Sequence, residues 1–470
     1  MVDILGYLVA ATPFLVAGVA LLGLRWSAVW AGVATLLAAL AGALLWPTLQ
    51  LGNLSGALLS GVGTSGRVLY VLFGGLLLFN LLSAGGAIQR VSEFLRRLEP
   101  EKEALAIVVV IGAAPFFESV TGFGVAVVIS APILLAAGFS PLKAAVLASW
   151  GQCAVPWGAL GVGTVIGADL SGMSFKALSD ASALLNLPLF PIYGVAALAL
   201  AGGWNSIRRR GGEALFLGMV AGLGTLLTSL YLIPELSGAI GGLCATAVFL
   251  AMRWRRVVGL DTPLRALLPY GFLLALLFGA NGPGPFRELL EQLGPVFSGP
   301  GLPLLLSGVF TAILLGLRTE SMSSAVRDTV GQWLPTAGAV LTFVLAGQIV
   351  ATSGAASLMA SSATVFGGLY PAAAAVVGSL GGALTGSNAA SNALFMPLQI
   401  EAARSLGVSE SLVAAIQNVA GSHASMLAPQ RAILAATATG LLGREGDIVR
   451  AMLPPVIASI VVLAILGVLL

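Results

Sequence analysis

Long apolar runs separated by short polar stretches recur along the whole chain. Most of these runs have about 20 residues, the length that an α-helix needs to cross the hydrocarbon core of a membrane. Two runs are interrupted near their centres by polar, glycine-containing segments. Irregular backbone at membrane depth persists only where it is buried in protein or lines a cavity. The two segments are Pro115-Phe-Phe-Glu-Ser-Val-Thr-Gly-Phe-Gly124 and Thr385-Gly-Ser-Asn-Ala-Ala-Ser-Asn392.

The pattern predicts an all-α polytopic membrane protein with about 12 transmembrane helices in two repeats of one plan. Each repeat has five crossings, one of them a broken helix, and a re-entrant hairpin of two half-depth helices that meet at a tip. An odd number of crossings in each repeat and an even number in the linker predict that the repeats are inverted. The parts are a first repeat at 1–203 with hairpin 104–137 and broken helix 142–170, two linking transmembrane helices at 204–260, and a second repeat at 261–470 with hairpin 372–403 and broken helix 408–440.

Basic residues are divided unequally between the two sides that this plan defines. One side collects most of them, including 208–210 and the arginines of 253–256. Cytoplasmic loops are enriched in Lys and Arg, so this side is predicted to be cytoplasmic. We therefore expect a multi-pass protein of the cytoplasmic (inner) membrane with both termini outside. The other side receives Arg67, Lys176, Arg287 and Arg404.

Composition excludes several classes of protein. Hydrophobic residues make up 58% of the chain and charged residues 9%, against roughly a quarter charged in soluble domains. The net charge of +3 reflects basic loops and gives no reason to expect a nucleic-acid partner. There is no P-loop motif for ATP-driven pumping, and a single histidine excludes a histidine-rich metal site. We expect no cofactor, no metal and no catalytic residues.

Glu118, in the first polar segment, is the foremost candidate for proton coupling. An ionised carboxylate at the centre of a bilayer costs roughly 3 kcal/mol, so Glu118 should be neutral part of the time or paired. The structural alternative is a glutamate that caps the tip helix. Beside it, Thr121, Gly122 and Gly124 let the backbone approach a ligand closely. We therefore expect Thr121 and Gly122 in the substrate site.

The second polar segment carries short polar side chains where a helix N-terminus is predicted. A helix N-terminus offers free N–H groups and a positive partial charge, which suit a carboxylate. The alternative is plain helix capping, which is compatible with ligand binding. The candidates for substrate binding are Ser387, Asn388, Ser391 and Asn392.

The broken helix 408–440 carries further candidates. Arg431 is the only basic residue that the plan buries in the membrane, and a guanidinium can hold a carboxylate with two parallel hydrogen bonds. Its alternatives are pairing with Glu118 and snorkelling to the interface. His423, the only histidine, is a second candidate for proton coupling, against an ordinary hydrogen-bonded role. Gln417 and Gln430 of this helix, and Gln152 at the place in the first broken helix that corresponds to Gln417, complete the candidate set for substrate binding; the alternative for Gln152 and Gln417 is to cap broken backbone.

The two polar segments resemble the signatures of the bacterial L-lactate permease family, which includes glycolate carriers. The stretch Pro115–Gly124 is similar to that family's FE-S/A-x-TGFG signature, and Thr385–Phe395 to its second signature. Met426-Leu-Ala-Pro-Gln430 and 435–445 continue the likeness, which spans most of 80–470. The resemblance implies paired hairpins in inverted repeats. It also implies symport of a 2-hydroxymonocarboxylate with protons.

The chain departs from the family pattern at one informative place. Family members typically carry a lysine just before the methionine that corresponds to Met426, where this chain has Ser425. A basic residue appears instead at Arg431, directly after Gln430. If that lysine neutralises the substrate carboxylate, Arg431 replaces it from another angle or the substrate differs.

The sequence thus favours a proton-coupled secondary transporter for a small organic anion such as L-lactate or glycolate, embedded in the lipid bilayer. Sodium is the alternative coupling ion, because tip carbonyl, hydroxyl and amide oxygens could hold it. A channel would need a continuous polar pore. An intramembrane enzyme would need a nucleophile and a base together, for which Cys153 and His423 are the available residues. A homo-oligomer is compatible with the sequence.

Overall fold

The computed structural model describes residues 4–45, 54–122, 124–281, 285–294 and 299–470. Every regular element in these residues is helical, and ten helices are long and apolar enough to cross a membrane. Three shorter apolar helices lie among them. The predicted all-α, multi-pass membrane fold is therefore confirmed, while the inversion of the repeats stays a prediction.

The α-helices have the following bounds. In chain order they are α1 (Ile4–Gly18), α2 (Ala28–Leu45), α3 (Leu54–Ala84), α4 (Ala87–Leu98), α5 (Lys102–Val108), α6 (Ala114–Thr121), α7 (Val125–Ala136), α8 (Pro141–Trp150), α9 (Val162–Ser171), α10 (Phe175–Asn186), α11 (Leu189–Tyr231), α12 (Ser237–Met252), α13 (Trp254–Val257), α14 (Leu264–Asn281), α15 (Pro285–Leu293), α16 (Gly301–Leu314), α17 (Thr319–Thr352), α18 (Ala355–Ala360), α19 (Tyr370–Thr385), α20 (Asn388–Leu406), α21 (Glu410–Ser425), α22 (Pro429–Thr439) and α23 (Glu445–Leu469).

Six of these helices pack on one another as a unit that we call the scaffold group: α1, α2, α3, α14, α16 and α17. The long helices α3 and α17 lie side by side and pair their buried polar groups. Asn80 Nδ2 donates to Thr329 Oγ1 at 2.9 Å, and Trp333 Nε1 donates to the carbonyl of Leu69 at 2.8 Å. The outward faces of these helices carry exposed apolar side chains such as Leu59. Such faces suit a lipid bilayer, where apolar surface does not need to be buried in protein.

The second unit, which we call the hairpin group, consists of α5 to α12 and α19 to α23. Its first hairpin has a 20-residue arm, Lys102–Thr121, in which a π-helical turn joins α5 to α6. This arm is about 30 Å long, longer than the half-depth arm that the sequence predicted. Gly122 and Gly124 both have positive φ, and the chain returns as α7. The second hairpin turns between α19 and α20 at Gly386 and Ser387.

Both broken crossings have their breaks next to a hairpin tip. The first consists of α8 and α9, separated by an irregular stretch at 151–161, and the second of α21 and α22, separated at 426–428. Local sequence explains their starts. Ser409 caps α21 by accepting the N–H of Leu412 at 3.2 Å, and Pro429 occupies the first position of α22, where its missing N–H costs nothing.

Charged residues cluster at one end of the hairpin group, on the side predicted to be cytoplasmic. The buried carboxylate of Glu99 pairs with Arg253 and, at 2.9 Å, with Arg256. Arg210 pairs with Glu213 at 2.6 Å and with Glu101, and this last hydrogen bond holds the pKa of Glu101 below its usual value. The cluster ties the start of α5 to the middle of α11 and to the end of α12.

Few polar contacts join the scaffold group to the hairpin group. Asp169 of α9 accepts hydrogen bonds from Thr64 Oγ1 of α3 at 2.9 Å and from Gln348 Nε2 of α17 at 3.0 Å. Elsewhere α17 approaches α20 so closely that a side chain at Gly347 would collide with the carbonyl of Ala393. The rings of Phe14 in α1 and Phe395 in α20 also meet across the two groups, with centroids 5.3 Å apart.

Candidate functional site

The first hairpin tip holds Glu118 in an enclosed position. Its side chain is 1% exposed, and both carboxylate oxygens accept the backbone N–H of Gly124 at 3.2 Å. Thr121 Oγ1 donates to the carbonyl of Phe117 at 2.6 Å within its own helix. Gly122 takes φ +66°, and a Cβ there would lie 2.7 Å from the Cβ of Ala159. Phe123, which the sequence places beside Glu118, lies outside the described residues.

The irregular stretch of the first broken crossing completes this tip. The N–H groups of Ala159 and Leu160 donate to the carbonyls of Glu118 at 3.1 Å and Ser119 at 2.6 Å. These carbonyls lie in the last turn of α6, where a helix leaves carbonyls without partners of its own, and that of Glu118 also accepts the N–H of Gly122 at 2.8 Å. To reach them, Ala159 and Leu160 adopt φ of +41° and +56°, a left-handed conformation that is costly for residues with a side chain. Sequence reasoning missed this contact, since alanine and leucine give no signal of it.

The second hairpin tip is completed by side chains instead. Gln430 Nε2 donates to the carbonyl of Thr385 at 2.6 Å, and Arg431 Nε donates to the carbonyl of Gly386 at 3.0 Å. Ser387 caps the following helix, with its Oγ accepting the N–H of Ala390 at 3.4 Å. The predicted residues Ser387, Gln430 and Arg431 are therefore brought together at one place.

Arg431 is buried, with 8% of its surface exposed, and its guanidinium is incompletely paired. The Nη1 atom has no hydrogen-bond partner among the described residues. Gly124 separates it from Glu118, because a Cβ at Gly124 would lie 2.5 Å from Nη1. The carboxylate and the guanidinium interact electrostatically. In the described part of the chain they form no ion pair within 4.0 Å.

Glu118 and Arg431 line one small cavity together with both tips. Its volume is about 30 Å³, enough for one or two water molecules and too small for an organic acid. Beyond Arg431 and Ser387 lies a larger cavity of about 600 Å³, between the hairpin tips and helices α2, α3 and α17 of the scaffold group. We call it the vestibule. Its size falls within the range of small-molecule sites. The residues lining the small cavity are Glu118, Val155, Gly158, Val162, Gly163, Ser387, Asn388, Ala389 and Arg431.

Three asparagines form a buried network at the edge of the small cavity. The Nδ2 groups of Asn388 and Asn392 both donate to Asn418 Oδ1 at 2.8 Å. Asn418 Nδ2 in turn donates to Thr164 Oγ1 at 3.0 Å and to Ser182 Oγ at 2.9 Å. Asn418 thereby joins the second hairpin to the first broken crossing and to α10. Its place inside a helix of small residues was the only sequence signal of this role.

The network continues away from the cavity through glutamines. Gln417 Nε2 donates to Ser391 Oγ at 3.2 Å, and Gln399 Nε2 donates to Gln417 Oε1 at 3.0 Å. Tyr370 OH donates to Gln399 Oε1 at 2.7 Å. The predicted residues Ser391 and Gln417 therefore lie behind the cavity wall and hold α19, α20 and α21 together.

His423 and Gln152 do not line the small cavity. The ring nitrogens of His423 are bonded to Tyr193 OH at 2.9 Å and to Asn186 Oδ1 at 2.6 Å, and the ring stacks on Tyr193. Gln152 Nε2 donates to the carbonyl of Ser149 at 3.3 Å within its own turn. No group of three or more His, Cys, Asp or Glu residues that could hold a metal ion occurs in the described ranges.

Several known proteins are similar to this chain. The L-lactate permease of Streptococcus iniae is 27% identical over 74% of this chain and 80% of its own length. The L-lactate permease of Escherichia coli strain K12 is 26% identical, with 95% and 92% covered, and the glycolate permease of that strain is 24% identical, with 82% and 80% covered. Among solved structures, the Alcanivorax borkumensis YdaH transporter matches with a TM-score of 0.49 and 18% identity, covering 88% of this chain and 86% of its own.

The family model described as L-lactate permease matches residues 6–261 and 294–470. This match covers most of the chain, including both hairpins and both broken crossings. Relatives of this kind are permeases and not enzymes. The protein is therefore a multi-pass membrane transporter, and the chain belongs to the L-lactate permease family.

Proposed function

We propose that this protein carries small 2-hydroxymonocarboxylates, such as L-lactate or glycolate, together with protons across the cytoplasmic membrane. The substrate class follows from the names of relatives, which are L-lactate and glycolate permeases. The observation that supports it most is the incompletely paired guanidinium of Arg431, in a cavity shared with Glu118.

Arg431 binds the substrate carboxylate in this proposal. Its Nε is fixed by the carbonyl of Gly386, so the guanidinium is already oriented before the substrate arrives. The buried Nη1 lacks an acceptor among the described residues. A charge-assisted hydrogen bond contributes about 1.5–3 kcal/mol, and a carboxylate supplies the missing acceptor.

Glu118 couples the substrate to the proton. Among the described residues, Arg431 is the one guanidinium that lines the small cavity, and it can neutralise one carboxylate at a time. A substrate carboxylate that binds to Arg431 stands near a second negative charge if Glu118 is ionised. Like charges in a poorly solvated site strongly favour protonation of one group. Substrate binding therefore takes up a proton at Glu118, and release of either one favours release of the other.

The vestibule supplies the path to this site. It is lined by the start of α2 and by α17 from Gln332 to Phe343, close in sequence to Arg25 and Arg327, which the charge distribution assigns to the cytoplasmic side. On this orientation, with both termini outside, the conformation described here is open toward the cytoplasm. Because the small cavity is closed to an organic acid, a hairpin tip must move for the substrate to enter.

Uptake into proteoliposomes tests the proposal. Radiolabelled L-lactate and glycolate are offered with an imposed inward proton gradient and no sodium. We expect accumulation that a protonophore abolishes. Accumulation that needs a sodium gradient instead would move the coupling to the oxygens of the tips. No uptake under either gradient would refute the substrate class.

A further inference from the structure

Asn388 lines the small cavity, and its side-chain amide oxygen receives no hydrogen bond from the described residues. Its side chain is 4% exposed, and Oδ1 is buried without a hydrogen-bond donor among the described residues. A buried amide oxygen left unpaired costs about 1–3 kcal/mol, so its retention calls for a physical reason. The incompletely paired donor of the cavity, Arg431 Nη1, belongs to another residue lining the same small space.

The orientation of the Asn388 amide is fixed by a chain of contacts that begins at a main-chain carbonyl. Asn392 Nδ2 donates to the carbonyl of Gly163 at 3.0 Å, and a carbonyl can only accept. The nitrogen of Asn392 is thereby assigned, and it also faces Asn418 Oδ1 at 2.8 Å, which assigns the oxygen of Asn418.

The same oxygen receives Asn388 Nδ2 at 2.8 Å. The nitrogen of Asn388 is therefore engaged with Asn418, and its oxygen is the atom that has no partner among the described residues. A rotation of the Asn388 amide by half a turn would place two carbonyl-type oxygens against each other, so the network holds the oxygen where it is.

We propose that Asn388 Oδ1 accepts a hydrogen bond from the 2-hydroxyl group of the substrate and so selects 2-hydroxy acids over 2-oxo and unsubstituted acids. This inference rests on the proposed function. In a 2-hydroxy acid the hydroxyl lies on the carbon next to the carboxylate, so one small molecule can meet both Arg431 and Asn388. A 2-oxo acid presents an oxygen without hydrogen to Oδ1, and an unsubstituted acid presents a C–H group.

Sites built to hydrogen-bond a substrate hydroxyl reject analogues that lack it, because the buried partner is then left unpaired. We therefore expect the wild-type protein to prefer L-lactate over pyruvate and propionate, acids of nearly the same size, by about tenfold or more. The discrimination is set by Asn388, whereas general affinity for monocarboxylates is set by Arg431.

The test measures competition by unlabelled L-lactate, pyruvate and propionate against uptake of labelled L-lactate, in the wild type and in Asn388→Ala. We expect the alanine variant to lose the preference, so that the three inhibition constants agree within about threefold. Asn80→Ala is the matched control, because Asn80 is also a buried asparagine with one side-chain hydrogen bond, and it lines neither the small cavity nor the vestibule. The Asn80→Ala variant should keep the wild-type order of the three inhibition constants.

A wild type that does not discriminate, or an Asn388→Ala variant that keeps the full preference, overturns the inference while leaving the proposed function intact. A wild type that transports none of these acids refutes the proposed function instead. If Asn388→Ala is inactive, Asn388→Ser decides, since a hydroxyl both donates and accepts and should admit pyruvate as well as L-lactate. Thermal stabilisation of the purified variants by each acid gives the same comparison without transport. If the acids stabilise the Asn388 variants in the same order of preference as the wild type, the inference is overturned.

Discussion

The two hairpin tips are held by the same arrangement with different chemical groups. In each, carbonyls at the end of the first arm accept hydrogen bonds from the neighbouring broken crossing. At the first tip the donors are the main-chain N–H groups of Ala159 and Leu160. At the second they are the side chains of Gln430 and Arg431. The first tip therefore carries its charge, Glu118, independently of its caps, whereas at the second tip the cap and the cation are the same residue.

This difference separates two roles of charge in the site. Glu118 can gain or lose a proton while the main-chain caps of α6 stay in place. Arg431 cannot leave its position without uncapping α19. We infer that the first tip is suited to a group that changes its charge during transport, and the second to a group that stays charged and fixed.

Removal of Arg431 should have the largest effect. We expect Arg431→Ala to lower the affinity for L-lactate by about 100-fold or more, because it removes a charge-assisted hydrogen bond and leaves the carbonyl of Gly386 unpaired. Substrate-induced thermal stabilisation of the purified protein measures the affinity. Arg404→Ala, at the exposed end of α20 where Arg404 pairs with Glu410, is the control and should bind normally. Unchanged affinity in Arg431→Ala would make the residue purely structural.

Neutralisation of Glu118 should separate binding from coupling. Glu118→Gln keeps the shape and polarity of the side chain but cannot exchange a proton. We expect near-normal exchange of internal for external L-lactate, with accumulation driven by a proton gradient lost. Glu401→Gln, a partly exposed glutamate on α20, should accumulate as the wild type does. Proton-driven accumulation at the wild-type level in Glu118→Gln would exclude Glu118 from coupling.

A methyl group at Gly124 should push the two charges apart. Gly124 has φ +84°, and its Cβ would lie 2.5 Å from Arg431 Nη1. We expect Gly124→Ala to reduce uptake by about tenfold, combining backbone strain of roughly 1–2 kcal/mol with displacement of the guanidinium. Gly172→Ala isolates the strain, because Gly172 has φ +69° with open space around its Cβ position. Equal uptake by the two variants would show that backbone strain alone lowers uptake and that displacement of the guanidinium contributes nothing.

The smallest effect is expected for Gln430, which caps the second tip without a charge. Gln430→Ala should lower the unfolding free energy by about 1 kcal/mol and leave the substrate preference unchanged. Thermal unfolding of the purified protein and the competition assay report the two quantities. A loss of affinity as large as that of Arg431→Ala would mean that Gln430 itself binds the substrate.

Some parts of the site could be predicted from the sequence and others could not. Glu118 and Arg431 stand out because charge in an apolar run is rare and costly. Asn388 and Ser387 stand out because polar residues follow a glycine at a helix start. Nothing in the sequence marks Ala159 or Leu160, since their main-chain donors are common to all residues. His423 was a candidate for its residue type and Gln152 for its place in the first broken helix, and the structure places both outside the small cavity.

By itself the sequence determined that this is an all-α membrane protein with polar breaks in two of its apolar runs. The bilayer enforces this result, because every main-chain polar group must be paired within it. Only the tertiary structure decided which polar groups meet. Glu118 and Arg431 are far apart along the chain but lie on either side of Gly124 in the structure. Which atoms of Arg431 and Asn388 lack a hydrogen-bond partner among the described residues depends on what their other atoms bind. Such pairing is a property of packed neighbours, and no single segment of sequence contains it.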